Sequence, residues 1–308
     1  MQHGSPLQRE IVAGLTAGTV TTIATHPLDL VKLRLQLLAT SNSALGYTDV
    51  VKNILKESQI HSSVVKEAYR GLGVNLVGNS VAWGLYFGLY RFSKDTVYKV
   101  WIGDLDAQKN SSFQKDSQMG PLLYLTSAAL SGAATAVLTN PIWVVKTRIM
   151  STSTHAQKRY KSTLDGIFKI YQREGLSGFW RGLVPSIFGV AQGAIYFAAY
   201  DSLKHRYFAS RKIKEEQKLG NLENIMLTSV SKMVSVSAVY PLQLLKSNLQ
   251  SFEAVRDEAS YKLWALVGSI YTKDGVKGLY KGLSANLVRA IPSTCITFCI
   301  YENLRHLL

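Results

Sequence analysis

The sequence predicts an all-α membrane protein of six transmembrane helices in three pseudo-symmetric repeats, with short amphipathic helices between the members of each pair. Three observations carry this. Apolar stretches nearly free of charge alternate with polar, mixed-charge stretches along the 308 residues. A proline frame closes every second apolar stretch, as Pro27-Leu28-Asp29-Leu30-Val31-Lys32, Pro141-Ile142-Trp143-Val144-Val145-Lys146 and Pro241-Leu242-Gln243-Leu244-Leu245-Lys246. An aromatic-base-glycine triplet opens each of the others, as Tyr69-Arg70-Gly71, Trp180-Arg181-Gly182 and Tyr280-Lys281-Gly282. The prolines stand 114 and 100 residues apart and the glycines 111 and 100. A unit that long exceeds the solenoid periods. A helix pair cannot bury its polar face alone, so three pairs should close around an axis.

The elements follow in order. Ile11 to Leu28 holds about 18 residues without Lys, Arg, Asp or Glu, near the minimum for a span. Its Gly14 and Gly18 have the spacing that lets membrane helices approach closely. Val50, Val51, Ile54 and Leu55 make a short amphipathic stripe in the polar stretch that follows. The second run, to Tyr90, is uncharged but carries Asn75, Asn79, Ser80 and Trp83. The third, 117–145, is the longest and ends in the second frame. A short helix is expected within 160–171, then a fourth run from Gly182 to Tyr200. The fifth run, Asn224 to Leu245, contains Lys232. An amphipathic piece at 261–271 precedes the sixth, Gly282 to Tyr301, which Arg289 interrupts. These bounds give one domain over 1–308 with repeats at 7–100, 118–208 and 222–308.

Composition narrows the class. Hydrophobic residues make up 47%, charged residues 18%, and mean hydropathy is +0.05. That is apolar for a soluble enzyme yet low for helices wholly immersed in lipid. Helices that show lipid on one side and a watery interior on the other dilute their hydropathy in this way. The net charge of +15 suits nucleic acid, an anionic membrane surface or an anionic solute. Apolar runs separate the bases and no nucleic-acid motif appears, so no nucleic-acid partner is expected. Cys295 and Cys299 lie one helical turn apart, a poor geometry for a disulfide, and are expected as buried thiols. Met1 to Glu10 lacks the pattern of a secretory signal or a transit peptide, so targeting information is expected to be internal.

Enzyme signatures are weak. Gly71-Leu72-Gly73 lies in an apolar run without the spacing of a dinucleotide loop. Ser229-Val230-Ser231-Lys232 matches a nucleophile motif in letters alone. The six histidines show no metal-ligand spacing. No catalytic residue, metal or cofactor is expected.

With three proline frames, three aromatic-base-glycine triplets, and Tyr200-Asp201-Ser202-Leu203-Lys204 and Tyr301-Glu302-Asn303-Leu304-Arg305 ending two even helices, the chain resembles the mitochondrial carrier family from about Leu7 to Arg305. The resemblance implies six tilted helices around a central cavity, a binding site near the membrane midplane, and access alternating as ionic networks on the two sides break and form. It implies a multi-pass monomer in the mitochondrial inner membrane, with a small anion as cargo and the bilayer, cardiolipin included, as partner.

The resemblance also assigns roles and exposes departures. The matrix gate would comprise Asp29, Lys32, Lys146 and Lys246, braced by Gln36 and Gln250. Trp143 and Gln243 replace two of its acids, so Asp29 is expected to meet Lys146, and no frame acid remains for Lys32 and Lys246. Those lysines, with Arg34 and Arg148, should leave the inner end strongly positive. The cytoplasmic gate would comprise Lys94, Asp201, Lys204, Glu302 and Arg305, with Arg91 replacing an acid. Seven residues past the triplet glycines come Gly78, Gly189 and Arg289. An intramembrane arginine is costly and normally faces water or a partner, so Arg289 is the leading anion contact. Gly189-Val190 serves either as a flat slot for a ring or as helix packing. Lys232 is either a second base or a structural partner. Trp83 with Asn79 could stack on and read a heterocycle, or Trp83 could be an interfacial anchor. Gln192 is a further lining candidate.

These groups suit phosphates plus flat rings. The stretches 79–90, 138–150, 182–200 and 240–250 resemble the branch of the family that carries FAD, folate and related compounds. The expectation is FAD transport, with folate, NAD or a pyrimidine nucleotide as alternative cargoes and a non-transporting scaffold as an alternative of another class.

Overall fold

The computed structural model describes residues 6–38, 47–60, 63–102, 120–152, 160, 162–211, 221–251 and 262–307. The helices are α1 (Pro6–Leu37), α2 (Tyr47–Ile60), α3 (Val64–Ala68), α4 (Leu72–Ile102), α5 (Pro121–Ser151), α6 (Thr163–Glu174), α7 (Leu183–Phe188), α8 (Ala191–Arg211), α9 (Asn221–Gln250), α10 (Leu263–Gly278) and α11 (Leu283–Leu307). A 3₁₀ turn, Leu176–Trp180, follows α6. The described residues contain no strand. By length and composition, α5, the segment that includes α7 and α8, and α9 can each cross a membrane. The chain is an all-α membrane protein.

The prolines do not end the odd helices. Pro27, Pro141 and Pro241 lie inside α1, α5 and α9, each of which runs on for about ten residues. A membrane helix tolerates the lost N–H because neighbouring helices and hydroxyls satisfy the freed backbone. What ends the connections into the even helices is glycine. Gly71, Gly182 and Gly282 have φ of 80°, 71° and 85°. Only glycine enters this left-handed region without steric penalty, which explains the third letter of each triplet.

Two compact units are distinguished. The first comprises Met1–Asn79, Pro141–Arg181 and Ser247–Leu308. Here α1 lies along α11 and is tied to it by a 2.8 Å hydrogen bond between the Thr21 and Thr297 hydroxyls. Below Pro27, Leu30, Val31, Leu33 and Leu35 form a core with Val50 and Ile54 of α2, Met150 and Ala285. Each fully buried aliphatic contributes roughly 1.5–3 kcal/mol, which pins the amphipathic α2 against the end of α1. A second core gathers Val74, Val144, Val145, Ile149, Tyr160, Ile170 and Phe179. Ile170 comes from α6, whose start is capped by Ser162 Oγ accepting from the Asp165 N–H at 3.2 Å.

The second unit comprises Ser80–Asn140 and Gly182–Lys246. Buried Ser127, Ser131 and Thr139 of α5 return their hydroxyls to backbone carbonyls one turn earlier, as Ser231 does in α9. That satisfies them where water is absent. Close packing occurs at Gly132, where a Cβ would stand 2.6 Å from Val190 Cγ1.

Two expectations are corrected. Gly14 and Gly18 have no atom within 4 Å of a built Cβ, so they do not mediate close packing. Cys295 and Cys299 are exposed rather than buried. An apolar run in a membrane helix can turn a face to acyl chains as readily as to the core.

Candidate functional site

In the first unit, α1 and α11 bring Asp29 to Arg289, with Oδ1 2.9 Å from Nη1. This is a correction to the expected Asp29–Lys146 pair. The packing of α1 along α11 delivers the guanidinium first. Lys146 instead holds its Nζ 5.0 Å from the Trp143 ring centroid. Arg289 Nε is buried and has no hydrogen-bond partner. Such a donor is costly unless something accepts from it.

Gly78 is buried against α5, where a Cβ would meet Ile142 Cγ2 at 3.1 Å and the Trp143 ring at 3.4 Å. Asn79 Nδ2 donates to Thr22 Oγ1 at 3.4 Å.

The bracing glutamines act across repeats within this unit. Gln36 Oε1 accepts from Ser247 Oγ at 2.9 Å, and the Gln36 carbonyl accepts from Asn248 Nδ2 at 3.0 Å. Gln250 Oε1 accepts from Thr147 Oγ1 at 3.2 Å. Met150, which cannot hydrogen-bond in this way, is buried in the aliphatic core. Arg148 donates both Nη groups to buried Glu174, which also receives Arg181 at 2.8 Å. Arg148 therefore does not add to a bare positive field, contrary to the sequence reading. Lys32 and Lys246 are likewise engaged by neighbours.

His26 has no role among the site residues expected from the sequence. It is fully buried, with Nε2 3.0 Å from the Arg70 carbonyl and Nδ1 3.3 Å from Asn75 Nδ2. Its place immediately before the first frame proline was the available signal. Burial pushes the Tyr160 phenol above its ordinary pKa, and Arg148 opposes that rise.

In the second unit, Gly189 and Val190 interrupt the fourth run between α7 and α8. There the backbone switches to i→i+3 bonds, with Val190 N donating to Ile187 O at 3.0 Å and Gln192 N to Gly189 O at 3.1 Å. Gln192 Oε1 accepts from Gln243 Nε2 at 3.0 Å. Lys232 is exposed, its Nζ 5.9 Å from the Tyr196 ring centroid. Trp83 is 60% exposed; its ring stacks on Phe87 at 5.6 Å and meets Tyr86 edge-on at 6.3 Å. Asp201, Lys204, His205 and Phe208 line a cavity of about 250 Å³. Lys94 has interaction partners. Glu302 and Arg305 fall in the last turns of α11, and their side chains lie outside the described residues.

The chain is similar to known proteins along nearly its whole length. The family described as mitochondrial carrier protein matches residues 3–100, 117–211 and 217–308. The mitochondrial FAD carrier protein of Saccharomyces cerevisiae is 53% identical over 306 residues, 98% of this chain and 97% of its own. The mitochondrial nicotinamide adenine dinucleotide transporter 1 of the same yeast is 31% identical, over 98% of this chain and 78% of its own. Folate transporter 1, chloroplastic, of Arabidopsis thaliana is also 31% identical, over 96% and 94%.

Proposed function

Because this chain belongs to the mitochondrial carrier family, we propose that it carries FAD, or a related flavin nucleotide, across the mitochondrial inner membrane. It is a transporter rather than an enzyme, and FAD enters as cargo, not as a resident cofactor. The single observation that carries the choice of cargo is the 53% identity, nearly end to end, to a FAD carrier. Relatives that move NAD and folate stand at 31%.

The chemistry of the first unit is compatible with this cargo. Arg289 offers a planar fork suited to phosphate oxygens. Asn79 on α4 and Trp143 on α5 offer an amide and a ring in the same unit. Within the second unit, Trp83, Lys232, Gln192 and the Gly189-Val190 turn are the candidates for ring or phosphate contact. Binding that favours one of two closed forms over the other shifts their populations and moves the cargo without covalent chemistry.

The test is uptake of labelled FAD by liposomes holding the purified chain. We expect FAD uptake that Arg289→Ala abolishes while the variant stays folded. Strong NAD or folate uptake without FAD uptake would reassign the cargo. Uptake of nothing, with the fold intact, would favour a scaffold.

A further inference from the structure

The residue two after each frame proline touches an even-helix residue of another repeat. Asp29 meets Arg289 of the third repeat at 2.9 Å. The Trp143 ring abuts Gly78 of the first, 3.4 Å from where a Cβ would be. Gln243 donates to Gln192 of the second at 3.0 Å. The position two after the proline is therefore used three times, with matched chemistry at each use: ion with ion, ring with glycine, amide with amide. Gly78 and Arg289 each stand seven residues past their triplet glycine, at positions the sequence reading assigns to cargo contact. In two of the three contacts the frame acid position is thus bound to the cargo position; in the third its partner Gln192 lies one turn further along, ten residues past Gly182.

We propose that Asp29 is the resident counter-ion of Arg289 and sets a charge threshold for the cargo. This rests on the reading of Arg289 as the anion contact. The two side chains retain 17% and 28% exposure, so an incoming anion can reach them. A singly charged anion that takes Arg289 replaces one carboxylate with one equal charge and strands Asp29, so it gains little. An anion with two charges brings a surplus. It also brings further oxygens, and the unpartnered Nε of Arg289 supplies a donor for one of them. The displaced carboxylate has a destination, because Lys146, whose Nζ lies 5.0 Å from the Trp143 ring centroid, interacts electrostatically with both Asp29 and Arg289. Cargo binding therefore hands Asp29 from Arg289 to Lys146. Asp29 acts as a specificity-determining residue, and Lys146 as its acceptor.

Affinities measured by equilibrium dialysis on the full-length purified chain test this. FAD, with two charges, is compared with riboflavin 4′,5′-cyclic phosphate, which keeps the flavin and carries one. The wild type should prefer FAD by about tenfold or more, as one rearranged charge-assisted contact implies. Asp29→Asn should reduce that preference to about threefold or less, through tighter binding of the monoanion. Asp29→Ser should do the same, and Asp29→Glu should restore the preference. Lys146→Met should keep the preference in binding yet lose transport. An unchanged preference in folded Asp29→Asn and Asp29→Ser, with Arg289→Ala losing both ligands, would overturn the proposal. ADP-ribose against cyclic AMP repeats the comparison without a flavin. If only that pair binds, the FAD reading fails while the threshold is still measured. If neither pair binds the wild type, the threshold falls with it.

Discussion

Arg148 grips Glu174 with both terminal nitrogens of its guanidinium, from the end of α5 to the end of α6, and both side chains are almost wholly buried. The same carboxylate receives Arg181, and Arg148 Nε reaches the Gln250 carbonyl at 3.3 Å. Removing one member of a buried pair strands the other charge, at a cost of about 3–5 kcal/mol. Glu174→Ala should therefore lower the unfolding temperature of the detergent-purified chain by more than the double variant Arg148→Met/Glu174→Leu, which removes both members of the pair. Equal losses in the two would show that the pair is not the source of the effect.

Gly71 tests the triplet. With φ at 80°, any side chain there is strained by roughly 1–2 kcal/mol. A Cβ would also stand 3.0 Å from Met150 Cγ. Gly71→Ala should destabilise the chain in a denaturant or thermal series, and adding Met150→Ala should not recover the backbone share of that loss. Complete recovery would place the whole cost in the Met150 contact.

Gly132 and Val190 form a second pair. A methyl at Gly132 would overlap Val190 Cγ1 at 2.6 Å, and overpacking of this kind costs about 1–3 kcal/mol. Gly132→Ala should lower thermal stability, and Val190→Ala in the same chain should relieve most of it. This cycle also separates two roles for Val190. If Val190→Ala alone leaves FAD affinity unchanged, the residue serves packing; a lower affinity assigns it to the cargo.

The frames predict loose coupling. Gln243 meets Gln192 through a neutral hydrogen bond, worth a net of about 0.5–1.5 kcal/mol, and has no charge with which to pair a base. Trp143 packs on Gly78 and likewise has no charge to pair with a base. A gate with fewer ion pairs opens at lower cost, so FAD efflux from loaded liposomes should proceed with no counter-substrate outside. An absolute requirement for counter-substrate would refute this.

The repeat, the six long apolar runs and the roles of the triplet glycines were legible in the chain alone, because period, charge-free length and the steric freedom of glycine are properties of local sequence. Arg289 and Asp29 could likewise be picked out singly, since a charge in an apolar run is conspicuous. Their pairing was not legible. Which base reaches Asp29 depends on how α1 packs along α11, and local sequence carries no record of that distance. The same holds for Glu174, which draws in Arg148 and Arg181 from separate elements, and for His26, whose two ring partners lie 44 and 49 residues away. Continuation of the odd helices past their prolines was likewise not legible in the local sequence. A lone helix loses a bond there, whereas a packed one finds other partners for the freed carbonyl.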